Sequence, residues 1–271
     1  MGVLEKLKTA WAEQDSLVCV GLDPDMGKLP AHLQDSERPY FDFGRQIIDA
    51  VAPHVCAIKP QFAHFAAEGR EQELSELFAY IRDAHPNLVT ILDAKRGDIG
   101  STAEFYAREA FERYGADAVT LNPYLGFESV APYLDYADRG LIVLCRTSNP
   151  DSDWLQNNAQ DTTPVFERVA RRVCEWNDKD QCMLVAGATY PEQLGRIREL
   201  VGDMPLLVPG IGAQGGDLAA VLHHGADRNG TGLLISSSRG IIYAGNDEDF
   251  ARAAGSAASD LKDEINSLLK Q

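Results

Sequence analysis

Short apolar, β-branched runs recur along the chain at 17–22, 55–59, 89–94, 118–121, 141–145, 182–186, 206–209 and 233–237. Longer stretches with apolar residues three or four apart separate them, as in Phe43-Ile47-Ile48-Val51 and Leu74-Leu77-Phe78-Ile81. Near-continuous apolar strands alternating with amphipathic helices predict a parallel sheet covered by helices. Eight such units in 271 residues fit a (β/α)8 barrel, a TIM barrel, forming one α/β domain over 1–271. An open doubly wound sheet is the competing arrangement. No Pro/Ser-rich linker and no internal repeat divides the chain. The most loop-like stretch, 149–163, is polar and Asn-rich and follows the fifth strand. It reads equally as a surface excursion or as a mobile lid over a site at the strand ends.

Composition adds limits. Apolar residues make up 45% and charged residues 24%, a globular balance that excludes disorder, collagen and coiled coil. With 25 basic and 41 acidic residues the net charge is −16, so nucleic acid and anionic membranes are repelled at long range. No run reaches the length of a membrane span, and residues 1–8 lack the apolar core of a signal peptide. The expectation is a soluble, cytoplasmic protein. Cys19, Cys56, Cys145, Cys174 and Cys182 form no CxxC pair and read as reduced thiols, most of them buried. No histidine or cysteine spacing suggests a metal site, and no cofactor motif is present, so the expectation for both is none.

In a barrel, chemistry collects where strands end and βα loops begin. Those positions carry Asp23, then Lys59-Pro60-Gln61, then Asp93-Ala94-Lys95-Arg96-Gly97-Asp98. Later ends carry Asn122, Arg146-Thr147-Ser148-Asn149, the Gly-rich run 210–216 and Ser236-Ser237-Ser238-Arg239. Side chains two apart share a face of a strand, so Ile91, Asp93 and Lys95 are expected to point the same way. Two acids for one base leave excess negative charge, which is costly to bury. One reading is a structural ion pair with Asp98 capping the next helix, since 98–102 looks like a helix start. The other is a reactive cluster: Lys59 would complete an Asp23/Lys59/Asp93/Lys95 alternation of charge across the barrel mouth.

The last two strand ends look like a phosphate site. Gly210, Gly212, Gly215 and Gly216 leave backbone N–H groups open to an anion, and 217–222 can begin a helix. Arg239 adds a forked donor. The run 210–215 also satisfies GxGxxG, but it comes late and the next strand ends in no acid, so a dinucleotide site is rejected.

These residues together resemble the orotidine 5′-phosphate decarboxylase family, in its longer branch, which writes Asp-Ala-Lys-Arg-Gly-Asp-Ile as here at 93–99. The resemblance covers nearly the whole chain, and the Ser148, Gln214 and Arg239 regions make it more specific than the Asp-x-Lys-x-x-Asp core alone. It implies decarboxylation of orotidine 5′-monophosphate (OMP) to UMP in pyrimidine biosynthesis, without a cofactor. It also implies that Asp23 and Lys59 hold the ribose hydroxyls and that Asp93, Lys95 and Asp98 surround the reacting carboxylate. Lys95 would be the proton donor. Ser148 would read the pyrimidine edge, Gln214 and Arg239 would grip the phosphate, and Thr102 would touch the ligand. Gln61, where many members carry Asn, would also line the site. The resemblance further implies a homodimer, with Asp98 and Thr102 entering the partner's site. Two rival functions stay open: a metal-assisted sugar-phosphate decarboxylase or aldolase on the same barrel, and a non-catalytic nucleotide-binding protein.

Overall fold

The computed structural model describes residues 1–158, 163–211 and 215–270. Eight parallel strands close into a barrel in sequence order: β1 (Val18–Leu22), β2 (Ala57–Pro60), β3 (Val89–Arg96), β4 (Ala118–Leu121), β5 (Gly140–Arg146), β6 (Cys182–Ala186), β7 (Leu206–Pro209) and β8 (Leu233–Ser237). β8 pairs back onto β1, Val18 opposite Ile235, so no edge strand is left and the open-sheet alternative falls. Four strands match the sequence-based bounds. β1 and β2 begin one and two residues later than expected, while β3 and β5 run on to Arg96 and Arg146. Those two extensions pass through register shifts, between Leu92 and Arg96 and between Leu144 and Arg146.

Helices cover the outside. α1 (Val3–Gln14) precedes the barrel; α2 (Pro39–Val51), α3 (Glu71–Ala84) and α4 (Gly100–Arg108) follow β1, β2 and β3. α5 (Val165–Trp176), α6 (Pro191–Val201), α7 (Leu218–Gly225) and α8 (Phe250–Leu269) follow β5 to β8. α2 shows why these segments are helical and stay put. Its apolar positions Tyr40, Phe43, Ile47, Ile48 and Val51 are all buried, each contributing roughly 1.5–3 kcal/mol of transfer free energy. Pro39 at its first turn stands where no intrahelical N–H is needed. α7 starts where the sequence suggested, with the Asp217 side chain accepting from the Ala220 N–H at 3.1 Å.

α1 closes the N-terminal mouth. Lys6 pairs with Asp117 at 2.7 Å, and Asp117 also accepts from the N–H and hydroxyl of Thr90. A Cβ on Gly140 would lie 3.0 Å from Val3 and 2.7 Å from Met183, so β5 must begin with glycine. α1 therefore packs across the N-terminal mouth of the barrel. Among the described residues, no helix is long and apolar enough to cross a membrane.

Candidate active site

At the C-terminal mouth a cavity of about 600 Å³ is lined by Lys59, Asp93, Lys95, Thr120, Leu144, Thr147 and Ser148, with the segment 149–156 along one side. Its floor is a row of charge. Asp93 on β3 receives Lys59 Nζ from β2 at 2.7 Å on one oxygen and Lys95 Nζ at 2.6 Å on the other. Thr120 on β4 donates its hydroxyl to the second oxygen at 2.9 Å. Lys59 and Asp93 are buried, their side chains each 8% exposed, whereas Lys95 is 46% exposed and faces the cavity.

Burial by itself would drive both floor groups toward neutrality. Burial is the largest influence on Asp93 and raises its pKa, but Lys59 and Lys95 together outweigh it and hold the carboxyl far below the usual range. Lys59 is likewise pushed down by burial, then carried above its ordinary value by Asp93 and Asp23. Lys59 and Asp93 therefore both stay charged at neutral pH. Breaking such a buried pair costs about 3–5 kcal/mol, although the intact pair adds little stability. The row is an expense of the fold, located at a site.

The expected alternation along β3 does not persist to Lys95. The strand bulges between Leu92 and Arg96, and Lys95 has φ 49°, in the left-handed region, where a non-glycine residue is strained. Lys95 still reaches Asp93, by the bulge and not by strand periodicity. Thr120, which the sequence reading passed over, organises this turn. Its oxygen accepts from the Ala94 N–H at 3.0 Å and the Lys95 N–H at 2.9 Å while donating to Asp93, which uses its full hydrogen-bonding capacity. A lone hydroxyl inside the buried run Ala118-Val119-Thr120-Leu121 was the available signal. Arg96 then turns outward to lie between the rings of Phe62, 4.2 Å away, and Tyr106, 4.5 Å away, and pairs with Glu109 at 2.7 Å.

The proposed charge alternation is only partly realised. Asp23 makes no ion pair with Lys59; it accepts from the Ser238 hydroxyl at 2.5 Å. That contact depends on Gly21, where a Cβ would lie 2.8 Å from Ser238. Ser238 thus serves Asp23, a role not read from the sequence, which assigned 236–238 to phosphate. The second oxygen of Asp23 is buried and has no partner among the described residues. Gln61 bridges in parallel to Asp93, beside the charged row but outside the cavity lining.

Asp98 and Thr102 stand apart. Asp98 bonds the Ile99 N–H at 2.9 Å, Thr102 is exposed, and neither lines this cavity. The capping alternative for Asp98 fails, because Ile99 is the N-cap of α4 and no side chain caps it. On the far side, Gly210 (φ 104°) and Gly215 (φ 79°) adopt backbone that only glycine takes readily. The Gly216 N–H donates back to the Gly210 carbonyl at 3.1 Å. Arg239, on the one-turn helix Arg239–Ile242, is exposed. Gln214 lies outside the described residues, as do 159–162 of the expected lid. The described part of that lid holds a 3-10 turn, Pro150–Ser152, and a one-turn helix, Asp153–Gln156.

Of the five cysteines, Cys19, Cys56, Cys145 and Cys182 are buried and Cys174 half-buried, all as free thiols. Burial pushes the Cys19 thiol up to about 12, so it stays protonated beneath the charged row. Among the described residues, no three His, Cys, Asp or Glu side chains converge as metal ligands.

Comparison with known proteins gives one consistent result. Residues 16–254 match the family described as "Orotidine 5'-phosphate decarboxylase / HUMPS family". A protein of Janthinobacterium sp. (strain Marseille) named orotidine 5'-phosphate decarboxylase is 54% identical, over 98% of this chain and 98% of its own. A protein of the same name from Dechloromonas aromatica is 55% identical, over 98% and 99%. The structure of Leishmania donovani OMP decarboxylase superimposes with a TM-score of 0.86 at 34% identity, covering 100% of both chains. Since the matches run through every strand that contributes a charged group to the mouth, the chain belongs to the orotidine 5′-phosphate decarboxylase / HUMPS family.

Proposed function

We propose that this chain, acting as one barrel domain over 1–271, decarboxylates OMP to UMP, a step of pyrimidine biosynthesis, with the charged row as its chemical centre. The observation that carries this reading is the Lys59–Asp93–Lys95 row, with Lys95 open to the cavity. Relatives that are more than half identical over nearly their full length are named for that activity. The C6–CO₂ bond breaks and its electron pair stays on C6, in an in-plane orbital that the ring carbonyls cannot delocalise. Lys95 stabilises that pair and then donates its proton to it, while CO₂ leaves. Asp93 fixes Lys95 and, with Asp98, disfavours the substrate carboxylate in the ground state. One ammonium 4 Å from a unit charge is worth about 4 kcal/mol at an effective dielectric of 20. A slow uncatalysed reaction needs something near the upper end of roughly 8–23 kcal/mol. The balance must come from binding energy of the ribose and phosphate.

Substrate groups then follow the strand ends. Asp23, with one buried oxygen free among the described residues, and Lys59 hold the ribose hydroxyls. Ser148 meets the pyrimidine edge, and Gln61 borders the reacting centre. Arg239 and Gln214 hold the phosphate beside the glycine loop. We further propose a homodimer, with Asp98 and Thr102 completing the partner's site. Five apolar side chains flank that segment and are exposed: Ile99, Phe105, Tyr124, Leu125 and Phe127. Such a patch is the kind a partner subunit covers. Residence in the cytoplasm fits the free thiols. The direct experiment is the fall in absorbance of OMP on incubation with the purified protein; no fall under any condition leaves a nucleotide-binding protein.

Two further results are expected. Arg239→Ala should raise KM for OMP and lower kcat/KM by about 100-fold or more, because phosphate binding energy is used at the reacting end. Orotidine, which lacks the phosphate, should be a poor substrate of the parent and lose little more in the variant. An equal loss on both substrates makes the arginine structural. Second, exhaustive chelation should leave activity unchanged, because both Asp93 oxygens are already taken by lysines and Thr120. Activity lost to EDTA and restored by Mg²⁺ would move the assignment to a sugar-phosphate decarboxylase or aldolase.

A further inference from the structure

Arg146 is the largest of the fully buried side chains, 1% exposed. A guanidinium so enclosed is tolerated only when its N–H groups find acceptors. Here Nε donates to Gln193 on α6, and Nη2 to Asp153 of the one-turn helix. Nη1 donates to the Ser152 hydroxyl, the Thr147 carbonyl at 3.2 Å and Gln156 Oε1 at 3.3 Å. The guanidinium lies over the Tyr190 ring, 3.6 Å from its centre. It therefore ties the segment 147–156 to the β6–α6 connection.

The register shift in β5 explains how it arrives there. Leu144 lines the cavity, and strict alternation would turn Arg146 inward as well. The shift between Leu144 and Arg146 sends the arginine into the helix layer and gives the cavity Thr147 and Ser148. Gln156 then clamps Thr147 from both sides, accepting from its N–H at 2.8 Å and donating to its hydroxyl at 2.9 Å. Across the gap, Thr189 donates to the Ser148 carbonyl at 3.0 Å. Gly187 leaves no room for a Cβ, which would lie 2.7 Å from the Ser148 nitrogen. Its contacts to Thr147, Ser152, Asp153 and Gln156 fix the wall of the cavity that carries Ser148.

We propose that Arg146 is a positioning residue for the base end of the site. It holds 147–156 in the single arrangement that lets Ser148 meet a pyrimidine edge, and it touches no substrate itself. This rests on the reading of Ser148 given above. The test compares the affinities of UMP and of ribose 5-phosphate, which lacks the base, in Arg146→Met, Arg146→Lys and Ser148→Ala, each first checked for parent-like circular dichroism. Arg146→Met is expected to weaken UMP binding about 30-fold, the scale of losing one or two neutral hydrogen bonds to the base. Ribose 5-phosphate should stay within about twofold, and Arg146→Lys should recover little, since an ammonium cannot span the fork's acceptors. Equal loss for both ligands, or loss for neither, overturns the proposal. If Ser148→Ala shifts the ratio of affinities and Arg146→Met does not, only the role of Arg146 falls. If Ser148→Ala leaves the ratio unchanged, the reading of Ser148 falls and this proposal with it. Should Arg146→Met not fold, Gln193→Leu, which removes one acceptor outside the cavity, must weaken UMP selectively; unchanged UMP binding there is equally fatal.

Discussion

Lys95→Ala is expected to lower kcat/KM by about 10⁵-fold while leaving UMP binding and the melting temperature close to the parent's. About 4 kcal/mol of charge stabilisation is lost, a factor of roughly 10³ in rate. Loss of a positioned proton donor adds about 10² or more. The fold should survive because Asp93 keeps Lys59 at 2.7 Å and the Thr120 hydroxyl at 2.9 Å, so no buried charge is stranded. Lys95→Gly supplies a control on backbone strain. It should be equally inactive yet no less stable than the alanine variant, because relief of the left-handed φ of 49° offsets glycine's entropic cost. A Lys95→Ala protein retaining more than about a hundredth of parental turnover would remove the lysine from the proton-transfer step, since that loss is below the charge effect alone.

Lys95→Ala and Asp98→Ala homodimers should each be nearly inactive, and mixing them should restore activity. If Asp98 serves the partner's site while Lys95 serves its own, a mixed dimer has one doubly damaged site and one intact site. Random exchange makes about half of all dimers mixed, so about a quarter of all sites become intact. Activity should rise from near zero toward ~25% of the parent by the same statistics. Within one chain the Asp98 carboxylate bonds the adjacent Ile99 N–H and stays off the cavity lining, which agrees with service elsewhere. A mixture that remains dead after mass spectrometry has verified exchange would return Asp98 to its own subunit and remove the shared-site model.

Much of the fold was legible along the chain because parallel barrel strands are buried on both faces and therefore spell continuous apolar runs. Val18–Leu22, Cys182–Ala186 and Leu233–Ser237 all read that way, and the helices between them carry their own apolar stripe. The charged strand ends were legible for the opposite reason. Lys59 and Asp93 interrupt apolar runs where burial of a charge is costly, so their presence needs a purpose. Arg146 stands at the end of such a run too, but nothing local distinguishes an arginine facing the cavity from one facing the helix layer.

What the chain by itself determined is the number of βα units, their order, and the set of charged side chains available at one end of the barrel. Those follow from local periodicity and from the cost of placing charge in apolar surroundings, both written in neighbouring residues. Tertiary structure alone decided which charges meet. The shifts in β3 and β5 depend on how each strand hydrogen-bonds to its neighbour, a pairing between residues far apart in sequence. They turn Lys95 toward Asp93 and the cavity, send Arg96 and Arg146 outward, and leave Thr147 and Ser148 on the wall. The Asp23–Ser238 bond, joining residues 215 positions apart, exists only because closing the barrel brings β8 against β1.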